Sequence, residues 1–112
     1  MAAIKAYADL SQSKTLSKIL PLESADMYYR EWKRMTKDIR IAHFGSAGEK
    51  DLPCWSLVAL LSVLPNPSLH QTKDGKWYCT AEPNRIHFSG QYKTPVDACV
   101  AMIKKLHELK IL

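Results

Sequence analysis

Glycine is scarce in this sequence. Its four occurrences, Gly45, Gly48, Gly75 and Gly90, form neither a G-x-G-x-x-G fingerprint nor a P-loop, which excludes nucleotide binding by either route. Cysteine is scarcer still: Cys54, Cys79 and Cys99 are an odd number, widely spread, and make no disulfide framework. They suit a reducing compartment and are expected as small buried apolar residues. Together with His43, His70, His87 and His107 they provide no C-x-x-C or H-x-x-x-H pair, so the chain carries no zinc motif and implies no cofactor. Long apolar runs are also missing. The stretch from Leu57 to Leu64 falls far short of the roughly 20 residues that span a bilayer, so no membrane partner is expected. The opening Met-Ala-Ala-Ile-Lys-Ala-Tyr-Ala-Asp has neither the basic region, the long apolar stretch nor the cleavage site of a secretory signal, and the expected location is cytoplasmic.

What is present is the composition of one ordinary globular domain over residues 1–112, with 46% hydrophobic and 24% charged residues. The formal charge of +5 is mild and distributed. Its densest patch is Arg30, Lys33, Arg34, Lys37 and Arg40, diluted by Glu31 and Asp38, and reads either as a solvated surface or as a contact for a polyanion.

Along the chain, Asp9 stands three residues before Gln12 and Leu10, Leu16, Ile19 and Leu20 follow at helical spacing, which predicts a helix from about Leu10 to Leu20, stopped by Pro21. Residues 24–30 favour a strand through Met27, Tyr28 and Tyr29, yet Tyr28, Trp32, Met35 and Ile39 recur at a helical period, and both readings stand. Residues 31–50 are expected to be a peripheral loop or insertion, with the small polar run from Gly45 to Lys50 its clearest part. A second helix is expected to open across Asp51 to Ser56, with Pro53 in its first turn, and to end before Pro65 and Pro67. It is apolar nearly all round, so it is either buried or offers one side to a partner.

Residues 68–72 and 76–81 flank Lys73-Asp74-Gly75 and predict a hairpin, because Asp-Gly supplies the positive φ angles of a tight turn. Trp77, Cys79 and Ala81 alternate with Tyr78 and Thr80, and residues 85–88 resume the alternation. Trp77 and Phe88 are assigned to the core, and Tyr78, Arg85 and His87 to the opposite, open face. Thr94, Pro95 and Asp97 then predict a capped closing helix with a capping-box pattern, whose apolar face is Val96, Cys99, Val100, Met102, Ile103, Leu106 and Leu109. The expected fold is α+β, a small antiparallel meander of three or four strands with helices mainly on one face, in the order α-β-α-β-β-β-α.

Cys54 at a helix N-terminus would be the one candidate for cysteine chemistry, since a helix dipole lowers a thiol pKa. No oxyanion motif accompanies it, and an inert thiol beside Trp55 is the preferred reading, so no enzyme is expected. From Pro53 to Leu109 the order helix, three strands, helix is similar to that of double-stranded RNA-binding domains. The lysine cluster that opens their last helix is reduced here to Lys93 within Tyr92-Lys93-Thr94-Pro95-Val96-Asp97, so the likeness is one of topology alone.

Whole phrases carry a second resemblance: residues 19–29, Leu52-Pro53-Cys54-Trp55-Ser56-Leu57, Asp74-Gly75-Lys76-Trp77, residues 95–99 and Lys105-Leu106-His107-Glu108-Leu109. They resemble a family of small uncharacterised proteins of gut bacteria and their prophages or mobile elements. The resemblance implies an accessory protein and assigns no residue a role. The expected function is a non-enzymatic protein-interaction module whose partner is a phage or host protein or a second copy of the chain. The alternative is a nucleic-acid-binding domain using residues 30–40 and the open sheet face.

Overall fold

The computed structural model describes residues 5–32, 39–48, 51–82 and 85–112. Among these, three α-helices and two three-stranded antiparallel sheets make an α+β fold. Helix α1 (Leu10–Leu16) begins in a complete capping box: the Asp9 carboxylate accepts from Gln12 N at 2.8 Å, and the Gln12 side chain accepts from Asp9 N at 3.0 Å. The helix is shorter than expected. Hydrogen-bonded turns carry the chain on to Leu20, whose N–H reaches Leu16 O at 2.8 Å, and Leu16 and Leu20 are buried as the apolar spacing required.

After a 3-10 turn (Leu22–Ser24), strands β1 (Met27–Trp32), β2 (Ile39–Phe44) and β3 (Leu52–Cys54) form a sheet in the order β2-β1-β3. Of the two readings open for the stretch from Met27 the strand holds, and two expectations change here. Residues 31–32 and 39–44, expected in a peripheral loop, are paired strand. The helix expected to open at Asp51 does not, because Leu52-Pro53-Cys54 pairs with β1. Pro53 fits both settings for the same reason: its missing N–H costs nothing in a helix's first turn or on the free side of an edge strand. Helix α2 (Leu57–Val63) starts four residues later, capped by Ser56, whose Oγ accepts from Ala59 N at 3.2 Å.

The second sheet is the expected meander, β4 (Ser68–Gln71), β5 (Trp77–Ala81) and β6 (His87–Phe88), in that order. Gly75, at φ 83°, closes the β4–β5 turn as the Asp-Gly signal required. Helix α3 (Pro95–Glu108) packs on this sheet and on α2, and buries Val96, Cys99, Val100, Met102, Ile103 and Leu106. Leu109, expected on the same face, is exposed. The principal core therefore lies between α1, α2, β5 and α3. A smaller cluster of Met27, Tyr29 and Cys54 sits under the first sheet.

Candidate nucleic-acid interface

Alternation along β5 sends Cys79 and Ala81 into the core, with Trp77 half-buried against it, and leaves Tyr78 and Thr80 on the face away from α3. Cross-strand partners share a face, so the register fixes the neighbours. His70 pairs with Tyr78, Thr80 with Phe88, and Ala81 with His87. The open face accordingly carries His70, Tyr78 and Phe88, one ring from each strand. The His70 and Tyr78 rings stack with centroids 4.8 Å apart and planes 16° from parallel. The Tyr78 and Phe88 rings stand 6.4 Å apart and 41° off parallel.

This corrects two assignments. His87, expected on the open face, is buried at 7% exposure, and Phe88, expected in the core, is 56% exposed. Apolar character points Ile86 and Phe88 inward, but pairing with the buried Ala81 takes His87 to the core side and leaves Phe88, partner of Thr80, on the open face. His70 went unnoticed, although the Asp-Gly hairpin register would have put it opposite Tyr78.

A bulge shapes the far end of the meander. Between the pairs Thr80–Phe88 and Trp77–Tyr92, β5 advances three residues and its partner four. The extra residue falls beside Gly90, at φ 92°, and Ser89 Oγ takes over the Cys79 N–H at 2.9 Å.

Cations rim the ring row. Lys105 Nζ donates to Phe88 O at 2.8 Å along the β6 edge, Arg85 is exposed just before β6, and Lys76 is exposed just before β5. Lys76 is only loosely paired, 3.9 Å from Asp74.

The other expected site residues lie elsewhere. Arg30 is exposed on the first sheet, 5.2 Å above the Tyr28 ring, which stacks on His43 at 5.4 Å. Its Nε reaches Asp51 at 3.4 Å, and the Gly48 N–H together with Arg30 holds that carboxyl below the ordinary range. Lys33, Arg34 and Lys37 lie outside the described residues, as does the side chain of Arg40. The contacts of these side chains link Tyr78 to neither Arg30 nor His87.

Cys54 is strand, not helix N-terminus. It is fully buried, its Sγ donates to Ala8 O at 3.4 Å, and burial pushes its thiol pKa up. Cys99 is also pushed up, by its hydrogen bond to Cys79 and by burial. Among the described residues no group of His, Cys, Asp and Glu is gathered for a metal, and no helix is long and apolar enough to cross a membrane.

The chain matches no protein-family model, no curated protein and no solved structure.

Proposed function

We propose that this protein is a non-catalytic nucleic-acid-binding module that contacts its ligand through the open face of β4–β5–β6. The observation that carries this reading is the in-register row His70, Tyr78 and Phe88 on a sheet whose opposite face is filled by α3. Aromatic faces on a sheet are sequence-tolerant stacking platforms, and Lys76, Arg85 and Lys105 provide phosphate partners at its rim. The net charge of +5 favours a polyanion. Cys54, buried in β3 and not at a helix N-terminus, lacks the setting that activates a thiol, in keeping with a binding role.

A gel shift with a mixed pool of short DNA and RNA oligonucleotides at low salt tests the proposal. Binding that weakens steeply as salt rises supports it, and no shift at low salt removes it.

A second reading, a protein-interaction module for a phage or host protein or for a second copy of the chain, draws on Val58. This side chain is 72% exposed on α2, whose remaining apolar residues are buried or half-buried. One exposed valine is a small contact surface, and the second reading ranks below the first. Light scattering on the eluting protein checks for a dimer.

A further inference from the structure

Resting on the nucleic-acid reading above, we infer that the ligand is single-stranded, and that one unpaired base enters the ring row between Tyr78 and Phe88. One face of Tyr78 is closed by His70, stacked on it at 4.8 Å. Phe88 stands off on the β6 side, 6.4 Å away and tilted by 41°. Stacked planar rings lie about 3.4 Å apart, so a base held between two others needs roughly twice that spacing and near-parallel neighbours. The centroid separation is within half an ångström of that spacing, and what the pair lacks is parallelism, which turning one ring would provide.

Phe88 can supply it. The ring is 56% exposed and sits on a two-residue edge strand, so turning it disturbs no core packing. Tyr78, half-buried on the central strand, is the fixed wall. Thr80 is the cross-strand partner of Phe88 and shares the same face, bringing a hydroxyl beside the gap for a base edge. Lys105, bonded to Phe88 O at 2.8 Å, and the exposed Arg85 stand at the β6 side, where the sugar-phosphate chain of an inserted base would run. A duplex does not fit this arrangement, because each of its bases is already stacked on both faces and only its phosphates would meet the rim.

Fluorescence anisotropy tests the inference with the full chain at low salt. The probes are labelled twelve-nucleotide oligo(dT), the matching oligo(U), and a blunt DNA hairpin of equal charge, each against wild type and Phe88→Ala. Circular dichroism shows that the variant is folded. The expected result is single strands bound at least tenfold tighter than the hairpin, with Phe88→Ala weakening only the single strands, by about 5- to 150-fold. Similar losses for oligo(dT) and oligo(U) support stacking on Phe88, and tighter wild-type binding of oligo(U) with the same loss adds a 2′-hydroxyl contact to it. Hairpin binding as tight as single-strand binding, or single-strand binding indifferent to Phe88→Ala, overturns the inference and leaves the broader reading standing. Failure of all three probes to bind overturns both.

Discussion

Asp97 stands where a capping-box partner for Thr94 was expected, and Thr94 Oγ1 does accept from Asp97 N at 3.1 Å. The Asp97 carboxylate turns elsewhere, accepting from Lys5 Nζ at 2.8 Å and from Gln12 Nε2 at 2.8 Å. Lys5 also reaches Asp9 at 3.0 Å, so the cap of α1 and the start of α3 are joined by one polar network. Burial alone would raise the Asp97 pKa, but Lys5, Gln12 and Thr94 together outweigh it and hold the carboxyl below its ordinary value. A depressed carboxylate contributes stability above its unfolded pKa, and that contribution is lost as pH falls through the folded one. Lys5, whose pKa is raised by Asp97 and Asp9 against the effect of burial, loses its contribution only as pH rises past its own raised value. Asp97→Asn is therefore expected to cost about 1–2 kcal/mol at pH 7 and close to nothing near pH 2. Urea midpoints at the two pH values measure the difference. The three thiols give a second residue-scale expectation. With Cys54, Cys79 and Cys99 all buried, iodoacetamide should label none of them quickly in the native protein, and all three at full rate in denaturant. Fast native labelling of Cys54 would contradict its burial.

At the scale of elements, the signals that proved legible are those whose cause lies within a few residues. The α1 capping box, the Thr94-Pro95 start of α3 and, apart from Leu109, its apolar face occur where the sequence put them. So does the β4–β5 turn, where Gly75 meets no atom within 4 Å of an added Cβ. Gly75→Ala should therefore cost only the conformational penalty of a positive φ, about 1 kcal/mol, read as a shift in thermal midpoint with the spectrum unchanged. The β1–β2 hairpin was not legible, because Tyr28, Trp32 and their neighbours satisfy a helical period equally well. Pairing settled the matter: Met27 and Tyr29 find Phe44 and Ala42 on one side and Cys54 and Leu52 on the other, and the Tyr29 hydroxyl donates to Ala8 O at 2.7 Å. Local propensity is a weak prior against that much cross-strand pairing.

At the scale of the molecule, each sheet buries one face over its own apolar cluster and turns the other outward. The N-terminal segment runs along the chain that leaves β3 for α2, with Ala8 N donating to Trp55 O at 2.9 Å and Leu57 N to Ala6 O at 3.0 Å. Asp26, just before β1, holds the same stretch by accepting from Ser56 N at 2.9 Å and from the Ser56 hydroxyl. Electrostatics belongs to this scale as well. If Lys76, Arg85 and Lys105 each neutralise one phosphate, log K for a single strand should fall against log salt with a slope of about −2. A slope near zero in a salt titration would mean that the rim cations take no part.

Taken by itself, the sequence determined the α+β class, the caps, the Asp-Gly turn and the buried face of α3, since each depends on spacing within a turn or two of chain. Only the tertiary structure decided which side of β6 faces water and what Asp97 binds 85 and 92 residues away in Gln12 and Lys5. The reason is geometric. A strand's side chains alternate with period two, so a phase wrong by one residue exchanges core for surface, as it does for His87 and Phe88. The ring row on the open face exists because three strands were brought into one register, and periodicity within any one strand does not encode that.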